Sequence, residues 1–245
     1  MRRSRAVPWL LVSLLVLGSA CGTRGESSDE RTAATKSSDP EPLPPVSDVS
    51  APRVVVLGDS LTAGLGLSMR DAYPTVLQDK IKDAGLNYTI VNAGVSGDTS
   101  AGGLSRLDWA LDGDVRVLIL ALGGNDGLRG LPPAELTRNL STIIERAQAR
   151  RISVVLAGME APPNHGFDYT AAFHNVYPAL AKKYHVPLVP FLLQGVGGIT
   201  ALNQPDGIHP TAEGARMVAD NVWTILEPVL EADSRRAGAG GPPGR

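Results

Sequence analysis

The chain has a single cysteine, Cys21, so no internal disulfide can staple it. Aromatic residues make up only 4% of its 245 positions, and composition therefore gives no case for an aromatic-lined pocket. Basic residues are not in excess: 23 Lys and Arg face 25 Asp and Glu, with no basic block. That balance excludes the electrostatic footprint of a nucleic-acid binder. The apolar run near the start, Trp9–Leu17, is too short to span a bilayer.

What stands at the N-terminus has the order of an export signal. Arg2, Arg3 and Arg5 form a basic region, Trp9–Leu17 an apolar one, and Gly18-Ser19-Ala20 a run of small residues directly before Cys21. The layout resembles a bacterial lipoprotein signal, with Cys21 as the lipid acceptor. It departs from that pattern in having Gly18, rather than an aliphatic residue, three positions before the cysteine. Residues 1–20 are thus expected to be a signal and residues 21–52, rich in Ser, Thr, Asp, Glu and Pro, a disordered tether. The Gly-, Pro- and Arg-rich stretch 233–245 is expected to be a disordered tail. Taking away the three signal arginines moves the formal net charge from −2 to −5, which is mildly acidic.

Residues 53–232 remain as one globular domain, long enough for a sizeable core. Short apolar runs rich in Val and Ile recur at Val54–Leu57, Thr89–Val91, Val115–Leu122, Ser153–Ala157 and Val186–Phe191. Such runs suit strands buried on both faces. Between them lie helical stripes: Leu136, Leu140, Ile143, Ala147; then Tyr169, Ala172, Val176, Leu180, Tyr184; then Ala215, Val218, Val222, Ile225, Val229. Pro210 is expected in the first turn of that last helix. Strands alternating with helices imply a mainly parallel sheet covered on both faces. Neither an internal repeat nor a second domain is visible.

In open α/β sheets, ligands bind beyond the carboxyl ends of the strands. Each run here ends in glycine or polar residues. Gly58-Asp59-Ser60 follows the first, Asn92-Ala93-Gly94 and Ser96-Gly97-Asp98-Thr99 the second, Gly123-Gly124-Asn125-Asp126 the third, Glu160–His165 the fourth, and Asp206–Pro210 the last. Ser60 is the candidate nucleophile, although Asp59 and Ser60 also suit a helix cap. A serine needs an imidazole base, and the base needs an orienting group. His174 and His185 read as packing or surface residues. His165 with Asp168 and His209 with Asp206 both offer a carboxylate three residues away, and spacing separates them only slightly. Backbone N–H groups at Ser60 and Gly94 and the side-chain amide of Asn125 are candidate oxyanion donors. Asp59, Asp98 and Asp126 read as loop braces. Glu160, Pro162 and His165 are placed in one wall of a substrate pocket. A metal reading of Asp206 and His209 lacks a third ligand.

Four ordered segments carry a family resemblance: GDSLTAG at 58–64, GVSGDTSAGG at 94–103, LGGNDGLRG at 122–130 and DGIHP at 206–210. They resemble the motif blocks of the SGNH hydrolases, also called GDSL esterases, and are most similar to bacterial thioesterase I, lysophospholipase L1 and arylesterases. The resemblance implies a three-layer α/β/α sandwich with a five-stranded parallel sheet, flavodoxin-like in outline. It implies Ser60 as nucleophile, His209 as general base and Asp206 as its partner, which decides against His165. It implies Ser60, Gly94 and Asn125 as the oxyanion hole. The expected activity is hydrolysis of esters or thioesters of small molecules or lipids, by a monomer without metal or cofactor, exported to the periplasm or cell surface. A carbohydrate O-deacetylase and a non-catalytic tethered binding module are the alternatives.

Overall fold

A computed structural model describes residues 51–239. The signal, Cys21 and all but the last two residues of the tether lie outside them. Five strands form one parallel sheet: β1 (Arg53–Gly58), β2 (Thr89–Gly94), β3 (Val115–Ala121), β4 (Ser153–Ala157) and β5 (Leu188–Val189). Their order is β2-β1-β3-β4-β5. β1 therefore has the second strand on one side and the third on the other, and the chain's direction of winding reverses there. Such a reversal opens a crevice at the carboxyl end of the sheet.

The helices are α1 (Ser60–Ala63), α2 (Tyr73–Asp83), α3 (Ser100–Ser105), α4 (Leu107–Ala110), α5 (Gly124–Leu128), α6 (Pro133–Ala149), α7 (Phe167–Tyr184) and α8 (Ala212–Ala239). α2 packs against α8, while α6 packs against α3 and α7. The sheet lies between these two layers, as expected. Val54–Leu57 and Val117–Leu120 are almost completely buried at its centre. In register, Gly58 pairs with Gly94 on one side and with Ala121 on the other. The ends of three strands thus lie level, and the loops after them leave from one rim.

Several boundaries differ from the sequence expectation. β2 runs on to Gly94, and β3 stops at Ala121. β5 is only Leu188–Val189, because Pro187 and Pro190 flank it and supply no N–H to a ladder. α7 buries Phe173, Val176, Tyr177 and Leu180, while Ala172 is exposed. The aromatic pair wins the core face because it buries more apolar area, and the Tyr177 hydroxyl donates to Leu122 O at 3.0 Å. On α8 the buried face drifts from Ile225 and Val229 to Leu226 and Leu230. Pro210 precedes this helix rather than opening it. Thr211 caps it instead, accepting the Gly214 N–H at its hydroxyl and the Ala215 N–H at its carbonyl.

α8 also continues to Ala239, past the expected boundary at Ala232. Asp233 and Ser234 hydrogen-bond the Tyr88 hydroxyl at 2.8 and 3.1 Å, which ties this stretch to the entry of β2. Composition pointed to a tail from Asp233. The contact with a residue 145 positions away holds it as helix.

Candidate active site

β1 is buried through Gly58, and the chain turns directly into α1. Asp59 caps that helix: its Oδ1 accepts the Leu61 N–H at 3.0 Å. Ser60 is the first helical residue, and its N–H has no acceptor among the described residues. The turn is tight. A Cβ on Gly58 would lie 1.9 Å from Thr62 Oγ1, so the strand can meet the helix only as glycine. Thr62 in turn is bonded to the buried Tyr73 hydroxyl at 2.8 Å, which fixes α1 to α2.

The loop before α8 brings the imidazole. His209 Nε2 lies 2.8 Å from Ser60 Oγ, and His209 Nδ1 lies 2.7 Å from Asp206 Oδ2. Asp206 Oδ1 also accepts the N–H groups of Ile208 and His209, at 2.9 and 3.0 Å. The His209 N–H, the Ile208 N–H and the imidazole together hold the Asp206 carboxyl down at about 2, so it stays ionised. The loop is anchored from below. Asn203 Nδ2 donates to the carbonyls of Val196 and Ile199, and Gln204 Nε2 to those of Leu65 and Pro210.

Asn125 opens toward the same point from the end of β3. Its Nδ2 donates to Asp98 O at 3.0 Å and to Asp59 Oδ2 at 3.3 Å. Asp126 behind it is buried and accepts the N–H and hydroxyl of Ser100. Asp98 braces its loop through a side chain: its carboxylate pairs with Arg106 Nε at 2.6 Å. Arg106 also reaches Gly58 O at 2.9 Å, which joins the second block to the nucleophile turn.

Gly94 is placed otherwise than an oxyanion donor requires. Its N–H already donates to Asn92 Oδ1 at 3.0 Å. A Cβ there would sit 2.3 Å from Ala63 N, so the glycine serves the close packing of β2 on α1. Gly97, three residues on, has φ +84° and an N–H without an acceptor among the described residues. Its carbonyl is held by Arg129 Nη2 at 2.8 Å. The signal for Gly97 was in the sequence, as the second glycine of the same block, but two glycines in one loop are not distinguishable without the fold.

A cavity of about 470 Å³ opens beside Ser60 and His209. Glu160 and Pro162 line it. Most of the rest of its wall is apolar and includes Leu61, Leu128, Met159, Phe191, Leu193 and Ile208. Sequence reasoning had not assigned these; the available signal was that Leu61 and Ile208 adjoin motif residues. His165 does not line the cavity. It ends a short 3-10 turn, Pro163–His165, that carries its ring onto Tyr169, with centroids 5.1 Å apart. No hydrogen bond joins it to Asp168 among the described residues. Glu160 meets His174 Nδ1 at 2.6 Å. Among the described residues no group of three or more His, Cys, Asp or Glu is arranged to hold a metal.

This geometry can be set beside known proteins. The model of the GDSL-like lipase/acylhydrolase family matches residues 56–217, which take in all four blocks. The chain belongs to this family. Its sequence is 44% identical over 182 residues to Esterase TesA of Pseudomonas aeruginosa, covering 74% of this chain and 90% of that one. It is 38% identical over 186 residues to thioesterase 1/protease 1/lysophospholipase L1 of Escherichia coli, covering 76% and 88%. Among solved structures, this GDSL hydrolase matches the crystal structure of TesA with a TM-score of 0.69, covering 72% of this chain and 98% of that chain. It matches AlinE4, described as an SGNH-hydrolase family esterase, with a TM-score of 0.62 at 42% identity, covering 79% and 98%.

Proposed function

We propose that this GDSL-family ester hydrolase works through an acyl-enzyme on Ser60. The Ser60–His209–Asp206 chain of contacts carries the reading. His209 Nε2 takes the hydroxyl proton as Ser60 Oγ attacks the carbonyl carbon of an ester or thioester. Asp206 holds the Nδ1 proton and balances the imidazolium. His209 then protonates the leaving alcohol or thiol, and a water activated by the same ring clears the acyl group.

The oxyanion donors in this reading are the Ser60 N–H, the Asn125 side-chain amide and the Gly97 N–H, in place of Gly94. What supports Gly97 is its unengaged N–H beside Asp98, whose carbonyl holds Asn125. The largely apolar cavity suits an acyl chain or an aryl group better than a sugar ring. The name of the Escherichia coli relative points the same way, toward acyl thioesters and lysophospholipids. The proposal also takes the enzyme to be exported and held by a lipid on Cys21, supported by the basic, apolar and small-residue segments before it. No helix of the described residues is long and apolar enough to cross a membrane.

The test is covalent capture. A fluorophosphonate should add to the wild-type chain at Ser60, as located by peptide mass, and block turnover of p-nitrophenyl butyrate. Turnover that continues in fully labelled protein, or a label on another residue, overturns the assignment.

A further inference from the structure

Asp59 lies beside the nucleophile but has no part in the proton relay. Its side chain is buried, with the residue 3% exposed. Its two oxygens serve different partners: Oδ1 takes the Leu61 N–H, and Oδ2 takes one proton of the Asn125 amide. The other amide proton goes to Asp98 O. A buried carboxylate is costly, and burial lifts this one to about 6. Serine, threonine or asparagine would cap α1 without that cost. Capping therefore does not account for an aspartate here. What aspartate adds is a second acceptor oxygen that reaches Asn125 from the nucleophile's own turn.

We propose that Asp59 is a positioning residue that, together with the Asp98 carbonyl, holds the Asn125 amide for the substrate's carbonyl oxygen as Ser60 attacks the adjoining carbon. The Oδ2 contact, at 3.3 Å, is the longer of the two amide contacts and is the one that yields when an oxyanion forms. Gly124 makes room for it, since a Cβ there would lie 3.0 Å from Oδ2. The titratable groups whose fields reach the carboxylate are His209, Tyr73 on α2 and Tyr177 on α7. Burial keeps both tyrosines un-ionised. The proposal rests on the acyl-transfer reading above.

The experiment compares wild type, Asp59→Asn, Asp59→Ser, Asn125→Ala and the double variants on p-nitrophenyl butyrate, with melting temperatures at pH 8. Asparagine presents an amide donor to the Asn125 donor, and serine keeps the cap but cannot reach Asn125. Each single Asp59 variant should lower kcat about tenfold with KM changed by no more than about twofold. In the Asn125→Ala background the same substitutions should cost less than about twofold, because the group they position is gone. Asp59→Asn should melt no lower than wild type. Unchanged kcat in both variants, or an undiminished loss in the Asn125→Ala background, overturns the proposal. So does a loss of kcat matched by a lowered melting temperature in both variants, which assigns Asp59 to the fold. An Asn125→Ala variant with full kcat overturns it too, because the group that Asp59 positions would then do nothing, whereas a wild type without turnover would instead sink the acyl-transfer reading.

Discussion

Ser60 Oγ and His209 Nε2 stand 2.8 Å apart although 149 positions separate them in the chain. A serine hydroxyl has little nucleophilicity without such a base. Ser60→Ala should therefore reduce hydrolysis of p-nitrophenyl butyrate to the background rate while leaving the melting temperature near wild type. Retention of most of the rate would remove Ser60 as nucleophile.

Asp206→Asn tests the tautomer. Asparagine can keep the two backbone N–H bonds at its carbonyl, but its amide then faces His209 Nδ1 as a donor. The ring would be held with its proton on the wrong nitrogen. A kcat loss on the order of 10⁴ is expected, with little change in KM. A loss carried mainly by KM would assign Asp206 to substrate binding.

The two glycines of the second block should respond differently. Gly94→Ala pushes a methyl group into the α1 backbone, 2.3 Å from Ala63 N. It should destabilise the protein by about 1–3 kcal/mol or more in urea unfolding. Gly97→Ala meets only Arg129 Nη2 at 3.8 Å, but it strains a residue at φ +84°. Its effect should fall mainly on kcat, through a displaced N–H. Equal loss of stability in both variants would remove the distinction.

Asn125→Ala should lower kcat by about 10²–10³ if the amide stabilises the oxyanion. Steady-state kinetics on a p-nitrophenyl ester separates this from a binding role, which would raise KM and spare kcat.

Two carboxyls near the site should pull stability in opposite directions with pH. Asp59 is raised from 3.8 to about 6, so the folded state holds its proton more tightly. Its contribution is fully present below about pH 4 and is lost as pH rises through 6, a change on the order of 3 kcal/mol. Asp206 is lowered to about 2, so its contribution is present above 3.8 and is lost as pH falls through 2. Urea unfolding across pH should show Asp59→Asn removing the decline between pH 4 and 6, and Asp206→Asn removing part of the acid loss below 4. A gap between wild type and Asp59→Asn that does not vary with pH would show that Asp59 does not titrate in that range.

The sheet was legible because a strand buried on both faces must be apolar along its length, as Val54–Leu57 and Val117–Ala121 are. Ser60 was legible as a candidate from its place at a strand end, while the choice of His209 with Asp206 came from the resemblance of the four blocks to a family. The His165 and His209 alternatives looked alike from spacing. They part in the fold, where a 3-10 turn takes one ring to Tyr169 and the loop anchored by Asn203 and Gln204 brings the other to Ser60. The helical face of α7 and the extent of α8 were misjudged for one reason. Periodicity and composition are both local, but the neighbour that buries a face, or ties down a stretch as Tyr88 does Asp233 and Ser234, is elsewhere in the chain.

Local patterning alone was enough to specify an alternating α/β domain, its strand ends and the residue types gathered there, because burial and turn chemistry act over a few neighbouring residues. Which N–H remains free in the second block, which side chains wall the cavity, and that Asp59 shares the Asn125 amide with Asp98 were settled by long-range packing. Each depends on atoms brought together across dozens of residues, where no short-range rule relates them.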